Sequence, residues 1–136
     1  MNRMTDESGV PMKISSPAIS LNVADVDASA GFARTHFGFV DAMSADGFVS
    51  LTHPDTDLNV IFLEVGLETF VPQSVAGPAG QGLLLVLVVE ALDDEFTRIA
   101  ATGATVVTPP ETEPWGERFC QLADPNGIIW QLVQWV

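Results

Sequence analysis

Residues 114–133 read PWGERFCQLADPNGIIWQLV, and this stretch predicts a β-hairpin. The Pro-Trp-Gly corner at 114–116 leads into a run that can form a strand. The tetrapeptide at 124–127, Asp-Pro-Asn-Gly, is typical of a tight turn, because proline presets φ and Asn or Gly tolerates positive φ. The β-branched and apolar residues at 128–133 then predict the returning strand.

The composition predicts a folded chain the size of one domain. Its 136 residues are 47% hydrophobic and 17% charged, which is enough for a core and too apolar for a disordered chain. The 5 basic and 18 acidic residues give a net charge of -13. This argues against nucleic acid as a partner, because phosphate recognition needs clustered Lys and Arg. The acidity either serves solubility or attracts a cationic ligand.

The single cysteine and the lack of targeting patterns restrict the classes of protein to which this sequence can belong. Cys120 is the one cysteine, which excludes an internal disulfide and disfavours a thiolate zinc site. No signal-peptide pattern opens the sequence, and the longest apolar run, 83–89, is too short to cross a bilayer. We therefore expect a cytoplasmic protein with no membrane partner.

An order of strand, helix and further strands occurs twice along the chain. In the first copy an alternating strand at 18–23 precedes a helix capped by Asp25 or Asp27 and ended by Gly38. Short strands follow. The second copy opens with the apolar run 83–89, which we expect to be a strand buried on both faces.

The second copy continues with a helix from Leu92 that ends at Gly103. A strand at 104–107, a loop at 109–114 and the final hairpin complete it. The sequence therefore predicts an α+β fold of two βαβββ modules.

The predicted organisation has four segments. Residues 1–16 are polar and are expected to form a flexible N-terminal arm. Module one covers 17–66 and module two covers 83–136. Residues 67–82, rich in Pro and Gly, are the linker between them.

The end of the chain also resembles a known family. The Trp-Gly corner, Arg118 two residues on, and the Asp-Pro-x-Gly turn before an apolar strand are similar to the end of the vicinal oxygen chelate superfamily. That superfamily includes glyoxalase I, extradiol dioxygenases, fosfomycin-resistance proteins and bleomycin-binding proteins. The resemblance covers 17–136 and implies a curved eight-stranded mixed sheet with helices on its convex side. It also implies a homodimer, often with the ligand cleft shared between subunits.

The resemblance further implies where enzymes of the superfamily hold a divalent metal. Those positions fall at Ala18, Leu84 and Gln131, with an optional fourth near Phe62, whose neighbour Glu64 is on the same face. Ala18 and Leu84 have no donor atom, and Gln131 offers a neutral amide oxygen. A divalent ion needs at least three protein donors. We therefore expect no metal, no other cofactor and no catalytic residue.

The cleft implied by the resemblance suits a flat, bulky ligand. Trp115 at its mouth can stack on an aromatic molecule, more strongly on a cationic one. As alternatives, Trp115 fills the end of the sheet and Arg118 pairs with a neighbouring acid. The predicted ligand-binding residues are Asn22, Phe62, Glu64, Leu84, Val86, Trp115, Arg118 and Gln131. Also expected to face inward are Ala18, Ser20, Val88, Cys120, Ile129 and Val133.

The leading hypothesis is a metal-free binding protein, similar to the bleomycin-resistance branch, that sequesters an aromatic drug or metabolite. A more specific version of this hypothesis is that the ligand is also cationic. The alternative is a lyase, isomerase or dioxygenase of the same superfamily. Such an enzyme would use shifted metal ligands such as His53, Glu64 and Gln131, or Glu64 as a metal-independent base. A partner-binding module without a small ligand is the third possibility. We expect His36 to pack on the first helix rather than to bind metal.

Overall fold

Two modules with the same order of elements follow one another in the computed structural model, which describes residues 11–136. Module one contains β1 (Ala18–Val23), α1 (Val26–Phe37), β2 (Val40–Ala45), β3 (Phe48–His53) and β4 (Thr56–Glu64). Module two contains β5 (Leu85–Val88), α2 (Leu92–Ala100), β6 (Thr105–Thr112), β7 (Glu117–Ala123) and β8 (Ile129–Trp135). The predicted fold class and the order of both modules are confirmed.

The predicted arm and linker are described in part. Residues 1–10 of the arm lie outside the described residues, and 11–16 are exposed and contain no helix or strand. The linker contains one short 3-10 helix, Gln73–Val75. Neither helix within 11–136 is long and apolar enough to cross a membrane.

The eight strands form two four-stranded sheets rather than one continuous hydrogen-bonded sheet. The strand orders are β1-β4-β3-β2 and β5-β8-β7-β6. The pairs β1–β4 and β5–β8 are parallel, and the other neighbouring pairs are antiparallel. Among the described strands, β1 and β5 therefore have a hydrogen-bonded neighbour on one side only.

The parallel pairs repeat the same register in both modules. Leu21 pairs with Phe62, and Leu87 pairs with Leu132. Phe62 and Leu132 are buried, and all four side chains belong to or pack against the hydrophobic core that includes residues of the two helices. Because strand side chains alternate, the intervening residues lie on the opposite side of each sheet. We call this side, turned away from the helices, the open face.

The helix ends differ between the two modules. As predicted, Asp25 caps α1 by accepting a hydrogen bond from Ala28 N–H, and Gly38 ends it in the left-handed region with φ 78°. Helix α2 ends at Ala100 and its C-cap is Ala101, not the predicted Gly103. No side chain caps its start at Ala91, but Gln134 Oε1 accepts from Leu92 N–H at 3.0 Å.

Strand β6 is longer than predicted, because it continues through Pro109 and Pro110 into the segment expected to be a loop. Proline cannot donate to a ladder, so prolines in strands are confined to edges and bulges. Strand β6 is an edge strand, and its pairing with β7 shifts register between Thr108 and Glu111.

The predicted Asp-Pro-Asn-Gly turn also joins the two modules. Asp124 is 4% exposed, and its Oδ2 accepts from Ser29 Oγ of α1 at 2.6 Å. Its Oδ1 accepts from the N–H groups of Asn126 and Ile128, each at 2.9 Å. Asn126 also bonds the backbone of Asp25 through both ends of its amide. This polar cluster fixes the start of α1 against the final hairpin.

Replacing Asp124 by Asn is expected to destabilise the fold. One carboxylate oxygen becomes an NH2 group that faces a donor, and a buried group without its partner costs about 1–3 kcal/mol. Urea unfolding at neutral pH measures the loss. Asp57→Asn, at the exposed start of β4, is the control and is expected to be neutral. Equal stability of the wild type and Asp124→Asn would show that the cluster does not hold the modules together.

Candidate ligand-binding site

A cavity of about 450 Å³ lies between the two modules, beside the unpaired edge of β5. Its apolar walls come from both modules: Phe37, Leu58, Val86, Val88, Ile99 and Leu132. Asp55 and Glu95 also line it, and both carboxylates are substantially exposed. His53 and Thr56 also line it, so the walls of the cavity are part apolar and part polar.

Strand β5 and the residue after it contribute residues 86–89 to the lining of this cavity. Val89 N–H donates to Val133 O at 2.8 Å, so the alternate residues Val86 and Val88 direct their backbone groups to the open edge. Val86 is 47% and Val88 65% exposed. The expectation that this strand is buried on both faces was wrong, because β5 is an edge strand and no described element covers its open face.

A chain of side-chain hydrogen bonds crosses the open face of the second sheet. Thr108 Oγ1 donates to Gln121 Oε1 at 2.7 Å, and Gln121 Nε2 donates to Gln131 Oε1 at 2.8 Å. We call these three residues the amide chain. Gln131 pairs in register with Val86, so the amide chain ends next to β5, on the side of the sheet opposite Leu87 and Leu132.

The comparison with protein families decides the classification. Residues 15–132 match the family described as the Glyoxalase/Bleomycin resistance protein/Dioxygenase superfamily. The chain belongs to this superfamily. The resemblance seen at the end of the sequence is thereby confirmed.

Two mycobacterial proteins are similar in sequence to this chain, over alignments of different lengths. An uncharacterized protein of Mycobacterium bovis is 38% identical over 77 residues, which are 52% of this chain and 51% of that protein. The match therefore spans about half the length of that relative. An uncharacterized protein of Mycobacterium tuberculosis is 30% identical over 147 residues, covering 98% of this chain and 84% of that protein.

Solved structures of the superfamily share the fold. A glyoxalase/bleomycin resistance protein/dioxygenase from Nocardioides superposes with a TM-score of 0.77 at 21% identity, covering 95% of this chain and 88% of that one. TnmS3, an antibiotic binding protein from Streptomyces, superposes with a TM-score of 0.70 at 23% identity, covering 93% of this chain and 100% of that one.

The residues at the superfamily's metal positions do not fit a divalent ion. Ala18 and Leu84 provide no donor atom. The repeated register makes Ile61, not Phe62, the counterpart of Gln131, and Ile61 has no donor either. Gln131 Oε1 already accepts a hydrogen bond within the amide chain. Within residues 11–136 no three His, Cys, Asp or Glu side chains are grouped so as to hold an ion.

The shifted donors considered from the sequence lie apart. His53 Nδ1 accepts from Asp55 N–H at 3.0 Å, so its Nε2–H donates to Phe37 O at 2.7 Å. Both ring nitrogens are thus engaged. Glu64 lines a shallow acidic depression near the start of α1, on the other sheet from Gln131.

His36 packs on α1 as expected, with its ring 4.5 Å from that of Phe32. Burial and the nearby Arg98 charge lower the pKa of His36. A neutral imidazole in this position is consistent with a packing role.

Asn22 and Phe62 do not line the cavity. Asn22 is 8% exposed, and its Nδ2 donates to Val75 O and Gly77 O, each at 3.1 Å, which holds the linker against β1. Phe62 is fully buried in the core. The sequence assigned Asn22 and Phe62 to one face, but Asn22 pairs with Leu63, so the expected phase of β4 was wrong by one residue.

Arg118 and Cys120 lie on the helix side of the second sheet, not on the open face. Arg118 forms two hydrogen bonds with the Asp93 carboxylate of α2, at 2.7 and 2.9 Å, and this contact lowers the pKa of Asp93. Cys120 pairs with Leu132 in the core. Burial raises the pKa of the Cys120 thiol to about 11, so it is a packed residue.

Trp115 is 66% exposed and donates from Nε1 to Glu117 Oε1 at 3.0 Å. Its neighbour Gly116 has φ 89° and bonds Val136, and a Cβ at Gly116 would lie 2.9 Å from Val136 O. The Trp-Gly corner therefore fixes the end of β8. Trp115 does not line the cavity, while Leu84 is 41% exposed just before β5.

The structure thus brings Val86 and His53 to the cavity, whereas Gln131 lies on the open face and does not line it. The sequence did not indicate Phe37, Leu58 or Glu95 as lining residues. They come from a helix end, a hairpin and a second helix, and only the packing of one module on the other places them together.

The donor set predicts weak metal retention. Purified protein incubated with excess Mn²⁺, Fe²⁺, Ni²⁺ or Zn²⁺ and then desalted is expected to keep far less than one equivalent, as measured by elemental mass spectrometry. Gln131→Ala should give the same result, because one amide oxygen is too weak to hold an ion. One equivalent bound by the wild type and lost in Gln131→Ala would contradict this prediction and favour the enzyme alternative.

Proposed function

We propose that this protein binds an aromatic small molecule, a drug or a metabolite, and sequesters it without metal and without chemistry. The supporting observation is the cavity beside β5, which combines apolar side chains that can bury a flat ligand with the polar residues His53, Asp55, Thr56 and Glu95. Val86, Val88 and the neighbouring Gln131 are the proposed contact residues. Leu84 borders the same strand.

The charge of the protein supports a cationic ligand. The net charge is -13, and Asp55 and Glu95 line the cavity near solvent. A field of one sign raises the local concentration of the opposite ion. An aromatic amine would place its rings against Val86 and Val88 and its ammonium group near these carboxylates.

The name of TnmS3, an antibiotic binding protein, is consistent with this proposal. That likeness concerns the fold alone, so the ligand class proposed for this chain rests on the cavity and its charge.

For the other predicted contact residues we propose roles in the fold rather than in binding. Asn22 holds the linker, Phe62 fills the core, and Arg118 pairs with α2. Trp115 remains a candidate for stacking on a ligand that extends beyond the cavity, because most of its ring is exposed.

The unpaired edges of β1 and β5 support a homodimer. Each has one hydrogen-bonded neighbour among the described strands, and free edges carrying apolar side chains favour association. We propose that the β5 edge of one copy adjoins the β1 edge of another, which would enclose the open faces in a shared cleft.

Binding is tested by isothermal titration calorimetry with bleomycin, mitomycin C and an aminomethyl-fluorene. We expect at least one to bind with a Kd of about micromolar order, as a drug-sized ligand in an apolar cavity allows. Val86→Arg should weaken it about tenfold or more, because it places a positive charge at the lining of the cavity and repels a cation.

Val40→Arg is the matched control, since Val40 is similarly exposed but lies on β2 of the other module. Absence of binding by all three compounds would count against a ligand-binding function. Equal weakening by both substitutions would show that net charge, not this cavity, determines the affinity.

The homodimer is tested by light scattering after size-exclusion chromatography. We expect twice the 14.5 kDa mass of the chain. Val88→Lys should give monomers, because a lysine on an edge strand opposes strand pairing. Val107→Lys, an exposed valine on the opposite edge strand β6 of the same sheet, should remain dimeric. A monomeric wild type, or dissociation by Val107→Lys alone, would contradict the proposed interface.

A further inference from the structure

One residue in the wall of the cavity can change its charge near neutral pH. His53 lines the cavity together with Asp55 and Glu95, and it is the one histidine among the lining residues. Imidazole is the side chain whose charge ordinarily changes between about pH 5 and pH 8. The other histidine of the chain, His36, does not line this cavity. Acidification would therefore act on the charge of the cavity wall through His53.

The ring of His53 is held in one orientation at the end of α1. Its Nε2–H donates to Phe37 O at 2.7 Å, and its Nδ1 accepts from Asp55 N–H at 3.0 Å. A Cβ at Gly38 would lie 3.4 Å from Nε2, and the ring centroid of Phe39 is 5.0 Å away. These contacts fit a neutral imidazole with both nitrogens paired. The position left for a proton is Nδ1.

A proton on Nδ1 would act on a bound cation in two ways. It places a positive charge in the same wall as Asp55, which repels a cationic group of the ligand. It also turns Nδ1 from an acceptor into a donor, so the hydrogen bond from Asp55 N–H is lost. The Asp55 carboxylate, with Oδ2 4.0 Å from Nδ1, is then the nearby acceptor. Asp55 would pair with His53 instead of with the ligand.

The other charged groups around the cavity do not replace Asp55. Glu95 of α2 already has Arg98 Nε 3.5 Å from its Oε1. Arg98 in turn donates to His36 O at 2.7 Å, which holds it at the end of α1. Strand β5 and the residue after it contribute apolar residues alone, at 86–89. Within residues 11–136, Asp55 has no lysine or arginine at ion-pair distance, so it is the carboxylate best placed to contact a cation.

We infer that His53 sets the charge of the ligand that the cavity accepts: the neutral ring admits a cationic group at Asp55, and the protonated ring excludes it. This inference rests on the proposed binding function and makes it more specific. The affinity for a cation is then complete where His53 is neutral and falls as the pH drops and His53 gains its proton. A neutral ligand of the same shape is unaffected. By reciprocity, a bound cation opposes protonation of His53.

Two probes that differ only in charge test this inference. One is a fluorene with a trimethylammonium-methyl group, whose charge does not depend on pH, and the other is the neopentyl fluorene, in which carbon replaces the nitrogen. Calorimetric titrations at about pH 8 and about pH 5.5 compare them. We expect the Kd of the cation to rise about three- to tenfold on acidification, the effect of one added charge in a partly solvated wall. The Kd of the neopentyl fluorene should stay the same.

His53→Asn is the test variant, because its side-chain oxygen can accept from Asp55 N–H and it carries no charge at either pH. We expect it to bind the cation equally well at both pH values. His36→Gln removes the histidine that lies outside the cavity and is the matched control. It should keep the pH dependence of the wild type.

A measurement on the wild type alone tests the same inference without a variant. The NMR signal of the His53 ring proton between its two nitrogens reports protonation of the ring. Saturation with the cationic probe should move this titration to lower pH, and saturation with the neopentyl fluorene should not. An unchanged titration in the presence of the bound cation would overturn the inference.

The remaining outcomes separate this inference from the proposed function. Binding of the cation with the same Kd at both pH values would overturn the role of His53 while leaving ligand binding intact. A pH dependence that persists in His53→Asn would also overturn it, because another group would then be responsible. Binding of neither probe at either pH would count against the cavity as a site for flat ligands and therefore against both proposals.

Discussion

The parallel pairing of the first and fourth strands of each module is the constraint on which the rest of the structure depends. It pairs Leu21 with Phe62 and Leu87 with Leu132. The side chains of these pairs lie on the side of each sheet that packs against the helices. A shift of one residue would exchange the core side chains with those on the open face. The same register places Gln131 next to Val86 on the open face.

The sequence predicted the features that depend on local chemistry. Asp25 and Gly38 end α1 as expected, and the Asp-Pro-Asn-Gly turn forms the final hairpin. Which face of β4 turns to the core was not predictable in this way. The alternation of residues shows that a strand has two faces, but it does not show which face lies on the same side of the sheet as the core residues of β1. The exposure of Val88 was missed for a related reason, since apolar runs look the same on edge and central strands.

The residues that this chain has at the superfamily's metal positions are poor metal ligands. Ala18 and Leu84 supply no donor atoms, and the remaining candidate, Gln131, has its oxygen engaged by Gln121. What lines the cavity is apolar surface together with His53, Asp55, Thr56 and Glu95. Apolar surface gives affinity through burial, while a hydrogen bond to a polar lining group adds selectivity.

A crystal structure of the protein with the aminomethyl-fluorene, grown with added Mn²⁺ and Zn²⁺, tests the proposal of metal-free ligand binding most directly. The expected result is a ring system packed on Val86 and Val88, its ammonium group toward Asp55 and Glu95, and no ion coordinated by protein side chains on the open faces. A transition metal held there by three nitrogen or oxygen side chains, with the ring system elsewhere, would contradict it.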